Sequence, residues 1–135
     1  MTPDELFARH PSLLRLLRNN VSIGPGWLPL LDGLASDLER LSARLPLSRR
    51  PAFTQVSQRH GLLRVSLDTA SPAMWSRVDD AEDHSAEVCE QCGAPGETQE
   101  VRGWVYTLCE RCGSSLRKTL RRVRRCPRPA RRAGR

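Results

Sequence analysis

Four of the five cysteines form two Cys-x-x-Cys pairs, Cys89–Cys92 and Cys109–Cys112, and a glycine directly follows each pair. Sixteen residues separate the pairs, a spacing typical of zinc sites in which two tight turns each give two ligands. Gly93 and Gly113 permit the positive φ that such turns often need. Four thiolates at about 2.3 Å complete the tetrahedral shell of a structural zinc site. We therefore predict one structural Zn²⁺, held by Cys89, Cys92, Cys109 and Cys112.

Other uses of these cysteines fit the sequence less well. Disulfides need an oxidising compartment, and the N-terminal residues MTPDELFARH do not form a signal peptide. A thioredoxin-like redox site uses one Cys-x-x-Cys pair rather than two in tandem. A four-thiolate iron site has the same spacing, so iron stays open as the alternative metal. We expect Cys126 to be a free thiol, and His84 to stay outside a shell that four cysteines already fill.

The residues between the two pairs predict the element that brings the cysteines together. Glu97 to Arg102 and Trp104 to Leu108 read as strands joined at Gly103, with aromatic and β-branched residues alternating in the second. A hairpin between two cysteine turns is the plan of a zinc ribbon. We place this ribbon over residues 89–113.

Residues 1–88 carry helix and hairpin signals. A capping box at Thr2 opens a first helix, and Pro11 separates it from a second, short helix over residues 12–18 that stops at Asn19-Asn20. Leucines at three- and four-residue intervals predict a long amphipathic helix over residues 29–45. The remaining predictions are a hairpin of residues 53–58 with 62–67 and a helix over residues 71–88, with Met74, Val78, Ala81 and Ser85 on its buried stripe. The fold class is α+β.

Positive charge is concentrated at the C-terminal end of the chain. Residues 113–135 carry nine Arg and one Lys and no acidic residue, whereas residues 1–112 carry 12 Arg and all 15 acidic residues. Residues 114–135 are therefore predicted to be a basic helix, up to Arg125, followed by a disordered arginine-rich tail. A basic helix can lie along phosphates and release their counterions. The predicted nucleic-acid-binding residues are Arg117, Lys118, Arg121, Arg122, Arg124 and Arg125.

Nothing in the chain indicates an enzyme or a small-molecule substrate. Asp79, Asp80, Glu82 and Asp83 lie close together on a predicted helix, so their carboxylates should diverge and form a solvated acidic face rather than a catalytic pair. No nucleophile–base motif, phosphate-binding glycine loop or H-E-x-x-H motif occurs. No apolar run approaches the roughly 20 residues of a membrane span. These features predict a non-enzymatic protein of the cytoplasm that does not bind membranes.

The order of the motifs resembles a group of small proteins encoded by bacteriophages and prophages. Those proteins share a G-W helix, a G-x-L-R strand and a C-x-x-C-G-x-x-G…G-W…T-L-C ribbon, and the resemblance covers residues 24–112. The last ligand is often histidine in that group, where this chain has Cys112. The resemblance implies a bound zinc ion and a phage or prophage context, and it implies nothing about residues 113–135. The segments that carry it here are Gly26-Trp27, His60-Gly61-Leu62-Leu63-Arg64, Ala81 to Ala86, Cys89 to Gly96, Arg102-Gly103-Trp104 and Thr107-Leu108-Cys109.

Two functions are consistent with this sequence. The first is a zinc-binding phage or prophage accessory protein that binds nucleic acid non-specifically through its basic C-terminal segment. The alternative is a protein-interaction module that binds or inhibits a host protein, through the acidic run or the exposed side of the ribbon hairpin. We expect either form to act in the cytoplasm of a bacterial host cell.

Overall fold

A computed structural model describes residues 1–17 and 21–125, with side chains up to residue 121. Within these residues the protein is α+β, with four α-helices and two separate antiparallel hairpins. No helix among them is long and apolar enough to cross a lipid bilayer. The elements in chain order are α1 (Pro3–Arg9), α2 (Leu28–Ser42), β1 (Phe53–Arg59), β2 (Leu62–Leu67), α3 (Pro72–Ser85), β3 (Glu97–Val101), β4 (Trp104–Leu108) and α4 (Glu110–Arg125).

The apolar core lies entirely within the N-terminal part of the chain. Helix α3 packs on β2 of the first hairpin, α2 packs on α3, and α1 contacts α2. Leu31, Leu34 and Leu38 of the predicted leucine stripe of α2 face this core, whereas Leu41 is exposed; the predicted stripe of α3 faces the core throughout. Its members run from Leu6 to Ala81, and Val88 is the farthest residue that packs against it. Residues 89–125 lie outside this cluster, and the buried apolar residues described among them are only Cys89, Val101 and Leu108.

The sequence predicted α1 correctly and the next helix wrongly. Thr2 accepts from the Glu5 N–H, and Glu5 reaches back to the Thr2 N–H, which confirms the capping box. Residues 11–17 form hydrogen-bonded turns instead of the predicted helix over 12–18, and residues 18–20, including Asn19-Asn20, lie outside the described part. The carbonyl of Leu13 accepts from the N–H of Phe53 (2.8 Å), so this segment is also bound to β1.

Side chains of α3 bind the edge of β2. The Ser85 hydroxyl accepts from the N–H of Leu63 (2.9 Å), and the Glu82 carboxylate accepts from the N–H of Val65 (3.0 Å). The predicted acidic face is therefore only partly solvated. Asp79, Asp80 and Asp83 are exposed, whereas Glu82 caps a strand edge whose N–H groups would otherwise be unpaired.

The turn of the first hairpin presses against one face of the second. Thr107 donates its hydroxyl to the Gly61 carbonyl (2.5 Å), and the Gln58 amide donates to the Val105 carbonyl (2.9 Å). A Cβ built on Gly61 would lie 2.9 Å from a methyl group of Val105. These contacts fix the position of β3–β4 relative to the core.

Two glycines allow the contribution of this contact to stability to be measured. Gly61 and Gly103 each occupy the second position of a two-residue hairpin turn, with φ of +80° and +83°, but a Cβ on Gly103 meets nothing within 4 Å. Gly103→Ala should cost about 1 kcal/mol of unfolding free energy, which is the left-handed backbone penalty alone. Gly61→Ala should cost about 1–3 kcal/mol more, because it also overpacks the contact between the hairpins. Equal losses in urea unfolding would show that the hairpins do not press together at Gly61.

Candidate metal centre

The first cysteine pair lies in a tight turn that the chain closes on itself. The N–H of Gly93 donates to the Cys89 carbonyl (2.9 Å), and the N–H of Cys89 donates to the Ala94 carbonyl (2.8 Å). Gly93 has φ of +83°, as the sequence predicts for a residue directly after the pair. Cys89 is buried and Cys92 is exposed, so the turn presents one sulfur inward and one at the surface.

The Gly-Pro-Gly loop before α2 holds this turn against the core. The N–H of Gly26 donates to the Glu90 carbonyl (2.8 Å), and the indole N–H of Trp27 donates to the Val88 carbonyl (2.8 Å). A Cβ on Gly26 would lie 2.1 Å from the Cys89 carbonyl oxygen, so only glycine fits there. Sequence reasoning named Gly26-Trp27 only as a segment of the resemblance and missed this role.

The second cysteine pair lies in the first turn of α4 rather than in a second loop. The N–H of Cys112 points at the Cys109 sulfur (3.4 Å), and the N–H of Gly113 donates to the Cys109 carbonyl (2.9 Å). The prediction of a positive φ at Gly113 is therefore wrong, because the residue is helical. Its small size serves packing instead: a Cβ there would lie 2.9 Å from the Gln99 side-chain oxygen.

The hairpin β3–β4 brings the two pairs together. Its register, Glu97 opposite Leu108 and Val101 opposite Trp104, returns the chain to the first turn just before Cys109. The four sulfur atoms all lie within 4.8 Å of one another, and those of Cys92 and Cys109 are 3.6 Å apart. A tetrahedron with metal–sulfur bonds of about 2.3 Å has sulfur–sulfur edges of about 3.8 Å, so the cluster is positioned to hold one metal ion. His84 is not part of it.

The thiols in the cluster compete for negative charge. Burial raises the pKa of Cys89, but main-chain hydrogen bonds from Cys109, Cys92 and Gln91 outweigh it and lower this pKa to about 7. The adjacent Cys109 thiol, together with burial, raises the pKa of Cys112 to about 12. A main-chain bond from Ala94 lowers the pKa of Cys92, yet the thiols of Cys109 and Cys89 shift it upward overall. A dication would stabilise all four thiolates and displace the remaining protons.

A buried carboxylate links the first turn to both hairpins, and sequence reasoning missed it. Glu90 is 5% exposed, and its carboxylate accepts from the Thr107 N–H (3.1 Å) and the Gln58 amide (3.2 Å). Its own N–H donates to the Thr107 carbonyl (2.9 Å). The corresponding residue of the second pair, Glu110, is exposed. In the sequence, only the position of Glu90 between two cysteine ligands sets it apart. Glu110 has the same position in the second pair, so the sequence does not show which glutamate is buried.

The predicted nucleic-acid-binding residues all lie on α4, which begins at Glu110 and not at Ser114. The expected boundary between residues 113 and 114 thus falls inside one helix. Arg117, Lys118 and Arg121 are exposed, and Arg111 adds a cation that the sequence analysis did not include. Arg122, Arg124 and Arg125 continue the helix backbone. Cys126 and the arginine-rich tail lie outside the described residues.

Comparison of the chain with protein-family models, curated proteins and solved structures finds no match. The resemblance to phage and prophage proteins therefore stays a prediction. What the structure supplies for a functional argument is the cysteine cluster and its surroundings.

The pKa shifts predict how metal binding depends on pH. Cys92 and Cys112 carry protons near neutrality, so binding of Zn²⁺ above pH of about 7 should release at least two protons. Cys89 also becomes protonated below its pKa of about 7, which adds a third. The logarithm of the Zn²⁺ association constant should therefore rise by at least two for each pH unit. Below pH of about 7 it should rise more steeply, because Cys89 must also lose a proton. Competition with a chromophoric chelator across this range measures the slope; a flat profile would contradict the assignment.

The two glutamates within the cysteine pairs form a matched test of the Glu90 contacts. Glu90→Gln should cost about 1–3 kcal/mol of unfolding free energy, because a neutral oxygen would replace the charged acceptor and the amide N–H₂ would face the Gln58 amide (3.4 Å). Glu110→Gln makes the same chemical change at an exposed position and should cost less than about 0.5 kcal/mol. Urea unfolding of the metal-loaded proteins gives both values. A Glu90→Gln variant as stable as Glu110→Gln would show that the buried carboxylate is not needed.

Proposed function

We propose that the cluster binds one Zn²⁺ with a structural role. Four sulfurs at the spacing of a tetrahedral shell favour zinc or iron among the common metals. Four thiolates fill the shell of zinc and leave no position for substrate or water, so the centre has no catalytic role. Iron is the alternative that metal analysis of the purified protein would reveal.

The proposed zinc ion would organise residues 89–125, in which the predicted ribbon of residues 89–113 continues directly into α4. It would join the turn at Cys89–Cys92, the hairpin β3–β4 and the first turn of α4. Because this part adds nothing to the core cluster, metal binding and folding should be coupled here.

The protein's proposed activity is nucleic-acid binding through α4. The observation that carries it is that the basic helix starts inside the metal cluster, so the ion would fix the helix at one end. Arg111, Arg117, Lys118 and Arg121 are exposed along it. Among the side chains that the structure describes, no carboxylate lies within ion-pair distance of these four cations. They are therefore available to phosphates, and contacts to the phosphate backbone would make the binding largely independent of sequence.

The biological setting of this activity is also a proposal. The resemblance to phage and prophage proteins supports an accessory role in the cytoplasm of a bacterial host. That the role is non-enzymatic, without a small-molecule substrate, rests on the filled four-thiolate shell and on the sequence, which has no catalytic motif. It does not extend to α4 beyond Cys112, so the resemblance itself does not support nucleic-acid binding.

One observation favours the alternative, a protein-interaction module that binds or inhibits a host protein. A groove of about 580 Å³ runs between α2 and α3, lined by Leu30, Leu34 and the charged residues Asp37, Arg77 and Asp80. Affinity purification of the tagged protein with and without nuclease separates the two functions. Partners lost on nuclease treatment support nucleic-acid binding, and a stoichiometric partner that resists nuclease supports the alternative.

The salt dependence of binding tests the role of α4. Lys118→Gln with Arg121→Gln should reduce the log–log salt slope for DNA by about 1.5 units, because two phosphate contacts are lost. Arg44→Gln with Arg49→Gln removes the same charge from exposed positions near the end of α2 and should leave the slope nearly unchanged. Fluorescence anisotropy at several salt concentrations gives these slopes. Equal effects of the two pairs would mean that net charge, and not α4, attracts DNA.

A further inference from the structure

Trp104 is the most exposed large apolar side chain in the described part of the chain. Its side chain is 72% exposed, whereas Trp75 on α3 is 39% exposed and Trp27 is buried. A ligand that covers so much aromatic surface would gain the free energy of burying it. Nothing in the core or the cysteine cluster accounts for this residue.

The fold places Trp104 on the face of the second hairpin that carries α4. Val105 and Thr107 point toward the first hairpin, since they contact Gly61. Side chains alternate along a strand, so Trp104 lies on the opposite face with Tyr106 and Leu108. Tyr106 and Leu108 line a groove there together with Leu116 and Thr119 of α4.

A hydrogen bond holds the tip of this hairpin beside the distal half of α4. The Arg102 guanidinium donates to the Leu120 carbonyl (3.0 Å). One turn closer to the cluster, the Arg117 guanidinium donates to the Gln99 side-chain oxygen (2.7 Å). These two bonds hold β3 and the hairpin turn, which directly precedes Trp104, beside residues 117–120 of α4.

We propose that Trp104 is a stacking platform for a base of single-stranded nucleic acid whose phosphates lie along α4. This inference rests on the proposed nucleic-acid binding and names the class of ligand. A duplex keeps its bases stacked inside, whereas a single strand presents an aromatic face at every base. A positively charged surface next to an aromatic side chain is the combination that binds single strands with little dependence on sequence. Arg102 in the adjoining turn and the exposed Lys118 and Arg121 of α4 supply positive charge that matches phosphate, which is why a nucleic acid is favoured over a protein partner.

The test uses the full-length, metal-loaded chain with two probes of equal length: an oligodeoxythymidylate of about 15 nucleotides and a mixed-sequence duplex. Trp104→Leu should weaken binding of the single strand about 10-fold, because it removes one base–aromatic stack. Binding of the duplex and the salt slope should be unchanged. Trp75→Leu is the matched control and should alter neither. Trp104→Phe keeps an aromatic face and should retain most of the affinity.

Tryptophan fluorescence gives an independent reading on the same samples. The oligodeoxythymidylate should quench wild-type emission, and the quenching should be absent from Trp104→Leu but retained in Trp75→Leu. Unfolding temperatures of the variants within a few degrees of the wild type would confirm that the fold is intact.

The possible failures are distinguishable. If the wild type binds with a steep salt slope but Trp104→Leu binds the single strand equally well, the stacking inference is wrong and the proposed function stands. A loss shared equally by single strand and duplex also overturns it. If neither probe binds at low salt, the proposed function fails as well. A nuclease-resistant protein partner that depends on Trp104 would assign this surface to a protein instead.

Discussion

The C-terminal part of this protein depends on four sulfur atoms from two places in the chain that meet within bonding distance of a single ion. Cys89 and Cys92 belong to a turn, and Cys109 and Cys112 belong to the first turn of a helix. Thiols packed this closely disfavour one another's charge, so the arrangement calls for a cation. The hairpin between the pairs brings the chain back to the first cysteine turn. Because the second pair lies at the start of α4, the cluster fixes that end of the helix.

The N-terminal part supplies a rigid support for that cluster without sharing its core. Gly26 and Trp27 bind the main chain of the first turn, and Glu90 joins that turn to β1 and β4. Hydrogen bonds and close glycine approaches thus position the two parts, together with the contact of Val105 with Gly61.

Elements with a periodic apolar pattern, or with clear residues at their ends, could be predicted from the sequence. The contacts between those elements could not. The leucine stripe of α2, both hairpins and the capping box at Thr2 follow from local pattern. The cysteine spacing predicts which four residues meet, as the cluster confirms. Spacing alone does not distinguish a loop from a helix turn at Cys109–Cys112, so Gly113 was assigned the wrong backbone. Glu90 and Gly26 act through residues distant in sequence, and the leucine-rich segment 12–17 makes turns and a bond to β1 instead of a helix.

Amide hydrogen exchange on the full chain, before and after removal of the bound metal by a strong chelator, tests the central claim most directly. The account predicts about one metal ion per chain in protein purified without chelator. On its removal, exchange should accelerate in β4 and the first three turns of α4, while β1, β2 and α2 stay protected, and zinc should restore the original pattern. Protein that carries no metal, or exchange in α4 that is unchanged when the metal is removed, would contradict it.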